Sequence, residues 1–320
     1  MLNERPLVSI ISVTYNSSAF VRDTIESVLA QSHSQFEYII ADDCSSDGTW
    51  EIIAQYDDPR IRAIRNASNL GEYRNRNQAL ELSEGAYVIF IDGDDIIYPH
   101  GLEIYLRYAL QYPEAAMVVQ KAEINNAIFP LLMKPKDIVL NYFNGPNLLT
   151  SSFGSNFFKS SVLKSIGLPL EFIQGDEYTR FKIAARHPVL VIPGSMTWIR
   201  ETPGQASSKL GSYKGYQDSC NIFQALTHDF SDLGADCYAF IARKLFAARR
   251  VELKYFLTHL RWKSAALAFR EAIHYNRKCV KNSTAIFTDI SDFSPTYPLK
   301  QSDQHVTSTN PETTGEEHSL

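Results

Sequence analysis

The chain has 320 residues, 44% hydrophobic and 21% charged, with a formal net charge of -5. That composition is globular and supports one sizeable domain or two small ones, which excludes full-length disorder and a bare binding peptide. Asp303, Glu312, Glu316 and Glu317 fall in a final twenty residues with no Lys or Arg, so the rest carries only -1, and charge gives no reason to expect nucleic acid as a partner.

Residues 8–13 (VSIISV) form a short, β-branched, nearly continuous apolar run, which suits a strand covered on both faces. Val21, Ile25, Val28 and Leu29 then recur at helical spacing. The cycle repeats, with predicted strands at 38–41, 61–64 and 87–91 and helices at 49–56, 73–82 and 101–110. Four strand-helix units predict right-handed crossovers and a mostly parallel α/β sheet. From 115 to 200 the pattern is mixed: apolar runs at 117–119 and 189–192, a loop around 144–146, and a helix over 176–185. Residues 214–278 read as helices, with Tyr238, Ile241, Leu245 and Phe246 at helical spacing. Beyond Asn282 the chain is rich in Ser, Thr, Pro and acid, the composition of a mobile tail.

The four cysteines make no C-x-x-C pair, which argues for a reducing compartment rather than a disulfide scaffold or zinc site. The start of the chain lacks the pattern of a signal peptide, and no segment approaches the roughly 20 apolar residues of a bilayer span. A cytoplasmic location is the expectation. The eight histidines show no metal-ligand spacing.

Ligands of open α/β sheets bind at the carboxyl ends of the strands. Here those ends are polar: Thr14-Tyr15-Asn16 after the first strand, residues 42–48 (DDCSSDG) after the second, and Asp92-Gly93-Asp94-Asp95 after the fourth. Two carboxylates one residue apart can grip a hard divalent cation that in turn neutralises a diphosphate. An acidic surface turn is the plain alternative for an isolated D-x-D, although clustered like charges repel unless a cation offsets them. Neither G-x-G-x-x-G nor a P-loop is present, so phosphate handling falls to metal and side chains. For Asp42 and Asp47, loop and cap hydrogen bonds are the better reading.

In these motifs residues 6–205 resemble the inverting nucleotide-sugar glycosyltransferases of glycosyltransferase family 2. The opening strand VSIISVTYN (8–16), SVLAQS (27–32), ADDCSSDG (41–48), Asn69-Leu70-Gly71 with Arg76-Asn77, and Asp92-Gly93-Asp94-Asp95 occur in the family's order and spacing. The resemblance implies a GT-A, Rossmann-like, mostly parallel sheet flanked by helices, followed by a C-terminal helical region. It divides the chain into a transferase domain over 1–210, with a nucleotide-binding half at about 6–112 and an acceptor half at about 113–210. A helical region over 211–281 and a flexible tail over 282–320 follow.

The resemblance also implies a nucleoside-diphosphate sugar as donor, with UDP the commonest handle, and Mn²⁺ or Mg²⁺ as cofactor. It assigns Thr14, Asn16 and Asp43 to the nucleotide pocket, Asp43 facing the base. Arg76 falls near the diphosphate or base, Asp92 at the ribose and Asp94 at the metal. Asp176 matches the catalytic base of the later E-D motif, with Gly175 in place of the usual preceding acid. Glu177 is the reserve candidate, and a helix cap is the plainer role for Asp176. Cys44 stands where the family has Gly, and Thr202 where some relatives carry a His metal ligand. Arg200 is read either as a phosphate contact or as a surface ion pair.

Residues 243–281 hold eleven Lys or Arg against Glu252 and Glu271. Such helices suit an anionic membrane surface, here the cytoplasmic face of the inner membrane, where a lipid-linked acceptor would lie. A solvated face and a homodimer contact are the alternatives. Analogy points to a bacterial enzyme of lipopolysaccharide, capsule or exopolysaccharide assembly. Two rival functions stand beside it. One is a metal-dependent sugar nucleotidyltransferase, which would carry a Gly-rich basic loop where this chain has TYNSS (14–18). The other is a degenerate nucleotide-binding or scaffold protein, suggested by Gly175 and Thr202.

Overall fold

The computed structural model describes residues 5–121, 129–145, 148–149, 151–194, 196–202 and 212–258, the side chains of 212–217, 249, 251–253 and 255–258 excepted. The first half runs β1 (Val8–Thr14), α1 (Val21–Leu29), β2 (Phe36–Asp42), α2 (Thr49–Ile53), β3 (Ile61–Arg65), α3 (Glu72–Glu81), β4 (Tyr87–Phe90), β5 (Ile96–Ile97) and α4 (Gly101–Gln111). Then come β6 (Met117–Lys121), β7 (Leu131–Met133), α5 (Pro135–Asn144), a 3₁₀ turn (Phe153–Ser155), β8 (Asn156–Lys159), α6 (Ser160–Ile166), α7 (Gly175–Arg186), β9 (Val189–Pro193) and β10 (Thr197–Trp198). The described chain ends in α8 (Ser212–Ala225), α9 (Thr227–Ser231) and α10 (Ala235–Thr258).

The main sheet has the order β3-β2-β1-β4-β8-β6-β9-β7. β1 pairs in parallel with β2 and β4, β2 with β3, and β6 with β9, whereas β8 and β7 run antiparallel to their neighbours. The winding goes one way from β1 to β3 and then jumps back across β1 to β4. That reversal opens a crevice beyond the carboxyl ends of β1 and β4, the place where open α/β sheets bind ligands.

The continuous apolar runs are explained by burial on both faces. Ile11, Val88, Phe90, Val189 and Val191 face one core, while Val8, Ile10, Ile89, Leu190 and Ile192 face the other. Each such side chain contributes roughly 1.5–3 kcal/mol relative to exposure. α1 buries Val21, Thr24, Ile25 and Val28 on the second core. The first core extends into the C-terminal helices, whose Ile222, Phe223, Leu226, Phe230, Tyr238, Ile241 and Leu245 are all buried in it. Tyr142, Phe181 and Phe223 meet edge-on or tilted at its centre, with ring centroids 4.5 to 5.4 Å apart.

Two local expectations shift. The helix predicted over 49–56 closes at Ile53, because Gln55 and Tyr56 donate back only three residues, to Ile52 and Ile53, and the last turn tightens to 3₁₀ geometry. β8, which the periodicity did not mark, wedges antiparallel between β4 and β6 and joins the two halves of the sheet. The tail expected over 282–320, and most of the basic stretch over 243–281, lie outside the described residues.

Candidate functional site

The loops after β1 and β2 are stapled to each other by short polar side chains. Thr14 is 2% exposed and its hydroxyl donates to Asp42 Oδ1 at 3.1 Å, while Ser45 donates to the same carboxylate through both N and Oγ. Asp47 accepts from Ser18 N and from Thr49. Burial works to raise its pKa, but these hydrogen bonds outweigh it and hold the carboxyl down at about 2. Asn16 is exposed in left-handed backbone (φ 53°), and its Oδ1 accepts from Ser46 N at 3.0 Å. Cys44 is also left-handed (φ 64°), a conformation that costs a side chain roughly 1–2 kcal/mol and that Gly adopts freely.

Asp43 turns the opposite way, toward the loop before α3. Its Oδ1 accepts from Asn66 Nδ2 (2.9 Å) and Leu70 N (2.8 Å), and its Oδ2 from Gly71 N (2.9 Å). The carboxylate, 3% exposed, therefore holds the 66–71 loop and keeps one acceptor position for anything else.

Beyond β4 the chain turns through Asp92-Gly93-Asp94-Asp95, with Asp95 N bonded to Asp92 O at 2.9 Å. Only glycine fits between the first two acids: a Cβ on Gly93 would lie 2.7 Å from Thr14 Cγ2. Arg76 of α3 reaches Asp92 Oδ1 at 2.6 Å and Glu72 Oε1 at 3.1 Å, its guanidinium 5.4 Å from the ring centroids of both Phe90 and Phe153. Arg76 is buried, and its Nε and Nη1 have no hydrogen-bond partner among the described residues. Burial opposes its charge, but the two carboxylates hold it protonated.

A strap from β10 crosses this turn. β10 pairs with β5, and Gln120 holds its start through Met196 N and Thr197 Oγ1. Arg200 N then donates to Asp95 Oδ1 (3.0 Å), Arg200 Nε to the carbonyl oxygen of Asp94 (2.8 Å), and Thr202 Oγ1 to Asp94 Oδ2 (3.1 Å). The Arg200 guanidinium lies between the rings of Phe20 and Trp198 and pairs with Asp23 at 3.0 Å. It acts as a strut between α1 and the strap, so the ion-pair reading fits its contacts.

Burial, followed by the charge of Asp92, raises the pKa of Asp94. For Asp95 burial dominates again, then the Asp92 charge, and its pKa is pushed up to about 7. A carboxyl that binds its proton more tightly folded than unfolded favours the fold at low pH, and its contribution is lost as pH rises from about 4 through about 7. Asp95→Asn keeps an oxygen for Arg200 N and carries no charge. The metal-free variant is thus expected to resist urea better than the parent at about pH 8, and by a smaller margin at about pH 5, where only the first part of that range has been crossed. Urea unfolding at both values checks this; an equal difference at the two would refute it.

The acceptor side is built on the first turn of α7. Asp176 Oδ2 accepts from Arg180 Nη1 at 2.8 Å, one turn along the helix. Gln174, the residue before the helix, makes no side-chain cap. Glu177 points inward, 8% exposed, and accepts from Ser219 Oγ (2.7 Å), Gln174 Nε2 (2.8 Å) and the Tyr142 hydroxyl (3.2 Å). Those contacts bind α7 to α5 and α8 and engage the Glu177 carboxylate within the protein. The place of Gly175 is steric: a Cβ there would lie 3.0 Å from both Pro169 O and Tyr73 Cζ. A larger side chain at this position requires the Tyr73 ring or the Pro169 carbonyl to give way.

Among the described residues no three His, Cys, Asp or Glu side chains gather to cage a metal ion. The donors that are present fit a different, open site. Asp94 offers a carboxylate whose charged form burial and the Asp92 charge disfavour, a cost that a cation would offset, with the Thr202 hydroxyl beside it. Mg²⁺-type sites commonly use one or two carboxylates and leave the remaining positions to water and phosphate oxygens. Sequence reasoning did not anticipate the Asp94–Thr202 contact or the contacts of Tyr73. The residues are 108 and 100 positions from their partners, and no local pattern links them.

Residues 9–167 match the model of the family described as Glycosyl transferase family 2. Among curated proteins the chain is 44% identical over 113 residues to TuaG of Bacillus subtilis strain 168, named as a teichuronic acid biosynthesis glycosyltransferase; the match covers 35% of this chain and 45% of TuaG. It is 44% identical over 89 residues to the Escherichia coli enzyme WfaP, named UDP-Glc:alpha-D-GlcNAc-diphosphoundecaprenol beta-1,3-glucosyltransferase, covering 28% of this chain and 36% of WfaP. The chain thus spans less than half the length of these relatives. Among solved structures it resembles S. aureus TarS 1–349 with UDP-GlcNAc (TM-score 0.59, 19% identity), covering 85% of this chain and 91% of that one. A mannosyltransferase of Pyrobaculum calidifontis with GDP-Man and Mn²⁺ shows TM-score 0.54 and 17% identity, with 88% and 85% covered. At those identities the likeness establishes the fold.

Proposed function

Through residues 9–167 this chain belongs to glycosyl transferase family 2, and from that premise we propose that it moves a sugar from a nucleoside-diphosphate donor, UDP-linked, to a hydroxyl of a glycan or lipid-linked acceptor. The reaction proceeds with inversion, in the assembly of a cell-surface polysaccharide. The observation that carries the reading is the acid turn at the sheet's switch point, gripped from α3 by Arg76 and crossed by the Thr202 strap.

The nucleotide lies over the ends of β1 and β2, where Asn16 is exposed, Thr14 supports the pocket from beneath and Asp43 keeps an acceptor position for a base N–H. Asp92 accepts from the ribose, and Arg76 fixes Asp92 for that task. Asp94, with Thr202, would hold Mn²⁺ or Mg²⁺, which supplies positive charge against the diphosphate. Asp176 accepts the proton of the acceptor hydroxyl as that oxygen attacks the anomeric carbon; the bond to the diphosphate oxygen breaks and the nucleoside diphosphate departs. Arg180 fixes the carboxylate through Oδ2, with Oδ1 left to take the proton.

Relatives named for undecaprenyl-diphosphate acceptors support a lipid-linked substrate. No helix among the described residues is long and apolar enough to cross a membrane. α10 instead exposes Arg243, Arg250 and Lys254 along one face, a spacing and charge suited to anionic headgroups at the inner membrane.

Calorimetric titration with UDP, GDP, TDP and CDP, each with and without Mn²⁺, tests the donor site. One nucleotide is expected to bind in a metal-dependent manner, and Asp94→Ala to weaken it at least about tenfold, since a lost charge-assisted contact costs about 1.5–3 kcal/mol. Absence of binding by all four would bring forward the scaffold reading.

A further inference from the structure

α3 carries contacts to both halves of the proposed reaction. On its inner side Arg76 holds Asp92 at 2.6 Å. Tyr73 and Asn77, one turn apart on the same helix, reach the other way, to the segment that leads into α7. The Tyr73 hydroxyl donates to Ile173 O at 3.0 Å. Asn77 engages Leu168 through both backbone groups, Nδ2 donating to Leu168 O at 2.8 Å and Oδ1 accepting from Leu168 N at 2.9 Å. The segment over 168–173 is therefore held near each end. The Tyr73 ring also lies against Gly175, where an added Cβ would meet it at 3.0 Å. Asp176 is the next residue.

We propose that Tyr73 and Asn77 are positioning residues that set Asp176 at a fixed distance from the donor-binding turn, with α3 as the rigid spacer. This rests on the reading of Asp176 as the base. A regular helix is a stiff element: Tyr73, Arg76 and Asn77 lie within about 6 Å of axial length at 1.5 Å per residue, so the donor and acceptor contacts share one short support. Leu168 is buried and Phe172 stacks on Tyr178 at 5.1 Å, but Leu170 and Ile173 between and after them are 53% and 54% exposed, so the bonds from α3 add to a partly anchored segment. Gly175 belongs to the same arrangement. Its missing Cβ lets the α7 backbone approach the Tyr73 ring, and thus accounts for the departure from an acid at that position.

Only the acceptor side should respond when these contacts are cut. A misplacement of about 1 Å in reacting groups can cost about a hundredfold in rate. Tyr73→Phe keeps the ring and loses the bond to Ile173 O, and is expected to lower kcat for transfer about tenfold; Asn77→Ala, which frees both backbone groups of Leu168, is expected to lower it further. The probes are the nucleotide selected by the binding experiment, with Mn²⁺, its sugar conjugates, and an N-acetylglucosaminyl-diphosphoryl polyprenol. Nucleotide affinity and donor KM should remain within about twofold of the parent, a change of about 0.4 kcal/mol. Amide exchange should quicken in 168–178 and stay unchanged in β4. Parent-like kcat in both variants would overturn the proposal, as would a parallel loss of nucleotide affinity, which would place Tyr73 and Asn77 in the donor site. Absence of transfer by the parent protein would instead refute the proposed function.

Discussion

Replacing Asp176 by Asn is expected to lower transfer about a thousandfold, within the range that a positioned general base contributes, and to leave nucleotide binding at the parent level. The amide keeps the size of the carboxylate and an oxygen for Arg180 Nη1, so the first turn of α7 has no reason to move. What it loses is the ability to accept a proton. Glu177 is not expected to substitute, because its carboxylate is buried and engaged by Ser219, Gln174 and Tyr142. Burial raises its pKa, and relief of that burial would require α7 to part from α8. Nucleotide release from a sugar nucleotide in the presence of the polyprenyl acceptor measures the first half of the expectation, and calorimetry the second. Turnover near the parent rate would remove Asp176 from the reaction.

What could be read in the sequence follows from how far apart the deciding residues lie. The apolar runs at 8–13, 38–41 and 87–91 mark β1, β2 and β4 because burial on both faces leaves a continuous signal. The polar residues that follow them are adjacent in the chain, so the acid turn and the loops after β1 and β2 could be located as well. Contacts made across a hundred residues leave no such trace. The strap is one case: Thr202 reads as a ligand position that lost its imidazole, yet its hydroxyl sits 3.1 Å from the Asp94 carboxylate. Gly175 is another. As a letter it suggests a degenerate motif, whereas in the fold it lets the backbone approach the Tyr73 ring and the Pro169 carbonyl, each 3.0 Å from where a Cβ would stand. Thr14 and Asp43 carry a similar lesson: they stand at the carboxyl ends of β1 and β2, and their observed bonds are to the protein itself.

That double duty makes Asp43→Ala a strongly destabilising change in the nucleotide half. Asn66 Nδ2 and Leu70 N would each lose an acceptor, while Gly71 N would keep its second one, Asn69 Oδ1 at 3.1 Å. A buried donor left unpaired costs about 1–3 kcal/mol. Water can reach Gly71 more readily than Asn66, which is 8% exposed, so a total of about 3 kcal/mol is expected by the same reckoning. The damage should spread inward as well, since Asn66 also donates to Asn75 Oδ1 and Asn75 to Ala41 O at the end of β2. The 66–71 loop leads directly into α3, and its release loosens the helix that holds Asp92 through Arg76 and the α7 approach through Tyr73 and Asn77. Nucleotide binding and transfer should therefore fall together, unlike the separation expected at Asp176. Asp43→Asn separates the two duties of the side chain: its Oδ1 can still accept from Asn66 and Leu70, while its NH₂ opposes Gly71 N and offers a donor where a base N–H needs an acceptor. Urea unfolding should then show about half the loss seen for alanine, at about 1–2 kcal/mol, with nucleotide affinity as weak as in the alanine variant. Full nucleotide affinity in Asp43→Asn would mean that Asp43 serves the loop alone and that the base is read by another group.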